Sequence, residues 1–448
     1  MGKLFGTDGI RGVANETLTC RLAYRVGQAA AISLERADGK RPKVVIGKDT
    51  RISSDMLEAA LLAGLTASGC DAVRLGVIPT PAVAYLTVHE QADAGIVISA
   101  SHNPFEHNGI KMFSAQGFKL SDELEAEIEA LILQKGELPA RTHGEIGRIY
   151  DGAQLMDVYL DHLASTVDGL QPIKVVFDCA NGAASATAKK LFSRFPLQAE
   201  YLSVSPDGVN INENCGSTHT DALRRLVREE HLDVGFAFDG DADRCLAVDE
   251  NGNTVDGDGI IYILARRLKE RGMLDKNKVI ATVMSNGGLF RALDAAGTEY
   301  ETTDVGDRFV YERMQETGCR LGGEQSGHII LRKYATTGDG LLTAIMLSEE
   351  LRDRKTTLSK LAENVVPLPQ KTENIRVIDK AAVLADPEVL KKYGAINAEL
   401  GKKGRVLLRA SGTEPVVRIM AECEKKSDCE EYISKLYSVI KKRGYCRE

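Results

Sequence analysis

The sequence has no apolar run approaching the roughly 18 residues that a membrane-spanning helix needs. Its opening, Met1-Gly2-Lys3-Leu4-Phe5-Gly6-Thr7, lacks the apolar core of a signal peptide, and Gly6 stands where an N-myristoylation motif wants Ser or Thr. Basic residues are not in excess: 57 Lys+Arg against 64 Asp+Glu leave a net charge of −7. That balance argues against a general nucleic-acid binder, while local basic clusters can still hold small anions. The nine cysteines, scattered from Cys20 to Cys446, show neither CxxC nor Cys/His ligand spacing. They read as reduced thiols rather than as a disulfide framework or a zinc site. No G-x-S-x-G segment occurs, so a Ser-His-Asp hydrolase is a poor fit. These absences leave a soluble, cytoplasmic protein with no membrane or nucleic-acid partner as the expectation.

What is present is ordinary globular composition, 43% hydrophobic and 27% charged over 448 residues. That length suggests about three domains, with two or four allowed. One pattern recurs: a short β-branched run, a turn rich in Gly, Asn or Asp, then a helical stretch. It begins at Val44-Val45-Ile46-Gly47-Lys48-Asp49-Thr50-Arg51 ahead of a helix over 54–68, at Val175-Val176-Phe177-Asp178, and at Val279-Ile280-Ala281-Thr282-Val283. Continuous apolar strands alternating with helices mark parallel sheets buried on both faces. The spacing points to three related α/β domains with mainly parallel mixed sheets rather than one very large sheet. Ser121 begins a helix with Leu124, Ile128, Leu131 and Ile132 on one face. The polar stretch over 141–152 then reads as a boundary. After Val366-Pro367-Leu368-Pro369 the pattern changes to strand–turn–strand (405–408 and 416–420) and a final helix through Tyr432, Ile433, Leu436 and Ile440, a smaller α+β domain. The expected domains are 1–150, 151–255, 256–368 and 369–448.

Four segments carry candidate chemistry. Ile98-Ser99-Ala100-Ser101-His102-Asn103-Pro104, continuing to Lys111, follows the apolar strand 94–98. Ser101 is therefore expected in a surface loop at a strand's carboxyl end, where α/β proteins place ligands. Asp239-Gly240-Asp241-Ala242-Asp243-Arg244 follows the apolar strand 234–238. Its three alternating carboxylates repel one another unless a cation neutralises them, and an all-oxygen set suits a hard ion such as Mg²⁺. An EF-hand fails because Glu250 follows another apolar stretch instead of closing a calcium loop between helices. Gly322-Gly323-Glu324-Gln325-Ser326-Gly327-His328 offers close backbone approach and partners for hydroxyls. Arg409-Ala410-Ser411-Gly412-Thr413-Glu414-Pro415, with Arg418 beyond, makes a phosphate cradle. Each has a plainer reading alone: a Ser/Asn/Pro turn, a solvated acidic turn, a Gly-rich loop, and a hairpin with a polar tip.

Taken together and in this order, the four segments make the sequence resemble the α-D-phosphohexomutase superfamily along essentially its whole length. Within it, Phe5-Gly6-Thr7-Asp8-Gly9-Ile10-Arg11-Gly12, Glu324-Gln325-Ser326-Gly327-His328 and Ser411-Gly412-Thr413 look most like the phosphoglucosamine mutases. The resemblance implies four domains around one central cleft, with the C-terminal one rotating to open and close it. It implies reversible interconversion of glucosamine 6-phosphate and glucosamine 1-phosphate, on the route to UDP-N-acetylglucosamine. A phosphorylated Ser101 and a bound 1,6-bisphosphate, also the activator, would carry the reaction. One Mg²⁺ would lie among Ser101, Asp239, Asp241 and Asp243. Lys111 is implied as the acid/base group, given partners that lower its pKa for base duty. His328 would assist, and Arg11 and Arg244 would steady the transferring group. Glu324 and Ser326 would hold the sugar, and Arg409, Ser411, Gly412, Thr413 and Arg418 the other phosphate. A homodimer is the family-based expectation. The rival readings are a phosphomannomutase/phosphoglucomutase of the same mechanism, which usually has Met at position 325 and Asn at 412, a sugar-phosphate phosphatase, and a binder without turnover.

Overall fold

The structure, a computed structural model, describes residues 4–6, 8–35, 38–410 and 416–447. The three β-branched runs form sheet strands for the expected reason: Val44, Val45 and Ile46, Val175, Val176 and Phe177, and Val279, Ile280 and Ala281 are all fully buried, as strands covered on both faces require.

The first sheet has seven strands in the order Phe5–Gly6, Gly9–Val13, His107–Ser114, Ala94–Ile98, Lys43–Lys48, Asp71–Val77, Ile149–Asp151. Ala94–Ile98, Lys43–Lys48, Asp71–Val77 and Ile149–Asp151 run parallel, and the three remaining strands add antiparallel to the edge. The polar stretch read as a boundary thus supplies this sheet's last strand. The helix expected over 54–68 spans Ile52–Ala67. Glu58 is buried on it, accepting from Lys48 Nζ at 2.6 Å. Ser121 caps helix Asp122–Leu133 by accepting from the Leu124 amide, and Ile128 and Ile132 are its buried residues.

The second sheet orders Thr254–Val255, Cys245–Val248, Val234–Phe238, Lys174–Asp178 and Gln198–Leu202, the last three parallel. The third orders Glu299–Thr303, Lys278–Thr282, Leu321–Gly323 and Ile329–Leu331, with only the last strand antiparallel to its neighbour. Three mixed sheets, each with a parallel core and helical crossovers, give the expected α/β architecture.

The chain forms two compact units, residues 1–284 with 296–363, and residues 285–295 with 364–448. The first holds all three α/β sheets. The second carries the antiparallel sheet Gln370–Arg376, Val416–Cys423, Gly404–Ala410. Helices Pro387–Leu400 and Lys426–Lys442 share its core through Val389, Ile396, Ile433, Leu436 and Ile440. Helix Gly287–Ala295 belongs to this unit, the Gly287 amide donating to Glu422 at 3.0 Å. Among the described residues, no helix is long and apolar enough to cross a membrane.

Candidate active site

Ser101 lies in the loop joining strands Ala94–Ile98 and His107–Ser114, with φ of 55°, a left-handed value costly for a side-chain-bearing residue. The surface position expected for it is not what forms: Ser101 is 1% exposed. A buried network encloses it and fixes its backbone. The Ser101 amide donates to Ser99 Oγ at 2.9 Å, and Ser99 Oγ donates to Asp49 at 2.6 Å. Arg51, itself 2% exposed, donates through Nε to Asp49 and through its terminal nitrogens to the carbonyls of Ser101, Asn103, Pro104 and His107. Asn212 Nδ2 adds a donor to the Ser101 carbonyl at 2.9 Å. A Cβ at Gly240 would stand 2.5 Å from that carbonyl, so glycine is what lets the aspartate turn approach the serine loop.

The aspartate turn is the tip of a hairpin pairing Phe238 with Cys245, and Ala242 takes a φ of 56° within it. The turn gathers one oxygen each from Asp239, Asp241 and Asp243, all buried, within 4.8 Å of one another. Ser101 Oγ donates to Asp239 Oδ2 at 2.5 Å. Burial, and then the charges of Asp243 and Asp241, hold the Asp239 carboxyl well above the usual carboxylate range. Asp241 Oδ1 and Asp243 Oδ1 are buried with no hydrogen-bond partner in the protein. Crowded carboxylates with unanswered buried oxygens fit a divalent cation and fit a solvated acidic turn poorly.

Around this pair stand most of the other expected residues. Lys111, 3% exposed, reaches Asp241 at 2.8 Å, Asp8 at 3.1 Å and Asp243 at 3.7 Å. Burial alone would lower its pKa, but the three carboxylates outweigh that and keep it above its ordinary value. The expected lowering for base duty is therefore absent here, and Lys111 holds its proton. Arg11 pairs with Asp8, while Arg11 Nε and Arg244 Nε are buried without hydrogen-bond partners. Burial and then the Arg244 and Arg11 guanidiniums push His102 down to about 4, and its Nδ1 is 3.3 Å from Ser101 Oγ.

His328 places Nδ1 3.6 Å from Asp243, and its Nε2 accepts from the Gly338 amide at 2.9 Å. Burial lowers its pKa, but Asp243, Asp307 and Glu324 raise it to about 9. The Gly338 amide opposes that charge because it requires a lone pair on Nε2. Glu324 accepts from the Gly306 amide at 3.1 Å, burial raising its pKa. Ser326 Oγ is another buried atom without a partner. Buried polar atoms without protein partners on Arg11, Asp241, Asp243, Arg244 and Ser326 suit a charged, hydroxyl-rich ligand.

The C-terminal unit contains the remaining candidates. Arg409 and Arg418 occupy paired positions on strands Gly404–Ala410 and Val416–Cys423, both half-buried. Burial and then Arg418 lower the pKa of Arg409. Ser411, Gly412 and Thr413 lie outside the described residues.

Sequence reasoning did not assign roles to Asp8, Asp49, Arg51, Thr80 or Asn212. Thr80 Oγ1 donates to Asp241 Oδ2 at 2.6 Å. Asp49 and Arg51 had one available signal, their position in the turn directly after a buried parallel strand.

Models of the phosphoglucomutase/phosphomannomutase family match the chain in sequence: α/β/α domain I over residues 2–138, domain II over 157–252, domain III over 256–368 and the C-terminal domain over 373–437. The phosphoglucosamine mutase of Oceanobacillus iheyensis is 50% identical over 441 residues, covering 98% of this chain and 99% of the relative. That of Syntrophomonas wolfei is 51% identical over 447 residues, covering 99% of each. The crystal structure of a phosphoglucomutase/phosphomannomutase family protein from Burkholderia thailandensis superimposes with a TM-score of 0.81 at 25% identity, covering 97% of this chain and 96% of that one. The N-acetylphosphoglucosamine mutase of Aspergillus fumigatus, solved with GlcNAc-6P and magnesium, shares the fold at a TM-score of 0.69 and 16% identity, covering 98% and 96%. With the domain models consecutive along the chain and about half its residues identical to phosphoglucosamine mutases over nearly the full length, the chain belongs to the phosphoglucosamine mutase family of phosphoglucomutase/phosphomannomutase proteins.

Proposed function

We propose that this chain interconverts glucosamine 6-phosphate and glucosamine 1-phosphate by passing a phosphoryl group through Ser101. The observation that carries the reading is Ser101 Oγ at 2.5 Å from Asp239, on the edge of a three-carboxylate cluster with unanswered oxygens. A serine meant only to donate a hydrogen bond has no need of a cation-demanding cluster. A phosphorylated one brings close to two negative charges that require one.

In this reading the phosphoryl group on Ser101 Oγ passes to O1 of glucosamine 6-phosphate. The P–Oγ bond breaks and a P–O1 bond forms, giving bound glucosamine 1,6-bisphosphate. After that intermediate turns, its 6-phosphoryl group returns to Oγ and glucosamine 1-phosphate remains. The transfer is mostly a matter of positioning and charge stabilisation. Asp239, Asp241 and Asp243, with the Ser101 phosphate, would hold one Mg²⁺, which when bound offsets charge and polarises the transferring group. Lys111 Nζ, protonated beside Asp241, returns a proton to the oxygen a phosphoryl group leaves. It accepts one from the attacking hydroxyl only when the carboxylates that keep it charged are neutralised. His328 assists from the far side of Asp243, and Arg11 and Arg244 steady the transferring group.

Glu324 and Ser326 take the sugar hydroxyls. Arg409 and Arg418, with Ser411, Gly412 and Thr413, take the phosphate that is not in transfer. The proposal includes domain limits near residues 150, 255 and 368, a sugar 1,6-bisphosphate activator, a cytoplasmic setting and a homodimer.

The test is conversion of glucosamine 6-phosphate beside glucose and mannose 6-phosphates, with Mg²⁺ and catalytic hexose 1,6-bisphosphate. Fast turnover of the amino sugar and much slower turnover of the others is the expected outcome. Preference for glucose or mannose moves the chain to the sister activity. Release of phosphate without isomerisation overturns the mutase reading in favour of a phosphatase.

A further inference from the structure

Lys119 plays no part in that phosphoryl transfer, yet its ammonium is held in a partly buried seam of the first unit. It follows the strand that carries Lys111, where the chain turns back at Gly117 (φ of 74°) and Phe113 bridges antiparallel to Lys119. That turn is held from the third sheet's side: Thr336 Oγ1 donates to the Gly117 carbonyl at 2.6 Å, and the rings of Phe118 and Tyr311 lie 4.7 Å apart. A Cβ at Gly117 would stand 2.7 Å from the Ala84 carbonyl, so the close approach depends on glycine.

Within this seam Lys119 Nζ bridges two carboxylates, Asp8 at 2.8 Å and Asp307 at 2.7 Å. Each of those faces a group assigned to proton handling. Asp8 lies 3.1 Å from Lys111 Nζ, and Asp307 lies 3.7 Å from His328 Nε2. Lys111 and His328 in turn both face Asp243, at 3.7 and 3.6 Å. Lys111, Asp8, Lys119, Asp307, His328 and Asp243 therefore close a ring in which cationic or imidazole groups alternate with carboxylates. The ring joins residues from all three α/β sheets' domains. A partly buried lysine is satisfied by one carboxylate partner with solvent for the rest. The second carboxylate, aimed at the other side of the site, is what structural pairing alone leaves unexplained.

We propose that Lys119 is a positioning residue for phosphoryl transfer, holding Asp8 and Asp307 so that Lys111 and His328 keep their places on either side of the aspartate turn. The inference rests on the mutase reading. Without the Lys119 charge, Asp8 and Asp307 are left as half-buried carboxylates short of a partner. Asp8 then turns further onto Lys111 and Arg11, and Asp307 onto His328, drawing the proton-handling groups away from the reacting oxygens. The loss falls on the chemical step rather than on substrate affinity, because Lys119 hydrogen-bonds to Asp8 and Asp307, the carboxylates beside Lys111 and His328.

The experiment compares wild type, Lys119→Met and Lys119→Arg in glucosamine 6-phosphate turnover with Mg²⁺ and bisphosphate activator, alongside melting temperature and Mg²⁺ titration. Wild-type turnover is measured first, and its absence would defeat the mutase reading without bearing on the ring. Given wild-type turnover, Lys119→Met is expected to lose roughly ten- to a hundredfold in kcat with KM within about twofold, the range a small misplacement at an active site costs. Its Mg²⁺ half-saturation should be unchanged. Lys119→Arg, which restores a charge able to span two carboxylates, should recover most of the loss. Folded Lys119→Met with wild-type kcat overturns the proposal. So does a loss shared in full by Lys119→Arg, or one confined to melting temperature.

Discussion

The serine loop and the aspartate turn meet at the 2.5 Å contact between Ser101 Oγ and Asp239, yet they are built on opposite plans. In the loop the Ser101 amide and carbonyl both have protein partners, and a fully buried Arg51 answers four of the carbonyls between Ser101 and His107. In the turn, like charges are pressed together and Asp241 Oδ1 and Asp243 Oδ1 are left unanswered. The loop's geometry is set by the protein alone, whereas the turn becomes electrostatically complete only with an added cation. A nucleophile must be in place before the ligand arrives, but a charge clamp gains by remaining unsatisfied until then.

The largest effect should come from removing the one atom the two plans share. Ser101→Ala is expected to lose about four to six orders of magnitude in turnover, the range seen when a covalent carrier is deleted. Its stability should change by no more than about 1–3 kcal/mol, the cost of one lost donor to Asp239. Turnover assays beside chemical denaturation measure both, and full activity would remove Ser101 from the mechanism.

On the turn side, Asp241→Asn should raise the half-saturating Mg²⁺ concentration by at least about tenfold and lower kcat by about a hundredfold. Chelation should silence the wild-type enzyme reversibly without unfolding it, because the loop's network does not depend on the cation. An unchanged metal requirement in Asp241→Asn would break the contrast, since the turn would then be complete without its third carboxylate.

Arg51→Met tests the loop side. Removing one partner of a buried ion pair costs about 3–5 kcal/mol, and here it also frees four carbonyls at once. The folded variant should lose roughly tenfold in kcat, with Mg²⁺ half-saturation unchanged, because Ser101 no longer holds its left-handed backbone. A shift in metal dependence instead would mean that loop and turn form one network.

The sequence announced both plans unequally. Ser101 and the three aspartates were legible because each follows an apolar strand, Ala94–Ile98 or Val234–Phe238, and a strand's carboxyl end is where such folds place ligands. The three β-branched runs gave their sheets for the same reason. Arg51 was not legible as a clamp: a guanidinium after a strand reads as solvated, and its carbonyl partners lie some fifty residues on. Asp8, Lys119 and Asp307 were hidden further, because Lys119 and Asp307 are 188 residues apart in sequence and meet only through packing of separate sheets. The direction of the Lys111 shift was also out of reach, since it depends on three carboxylates drawn from two domains.

The smallest effect belongs to the arginine pair of the C-terminal unit. Arg409 and Arg418 are directly opposed on neighbouring strands, an arrangement of like charges that disfavours the pair by a few tenths to about 1 kcal/mol. Burial, and then the charge of Arg418, lower the Arg409 pKa. Arg418→Met removes one of the two opposed charges, so the cross-strand repulsion is relieved and the unit should stay folded with little change in melting temperature. The substitution should also raise KM for glucosamine 6-phosphate about tenfold, the loss of one charge-assisted hydrogen bond, with a smaller change in kcat. Thermal melts and steady-state kinetics read the two quantities separately. A lower melting temperature with KM unchanged would remove Arg418 from phosphate binding and leave it a structural role alone.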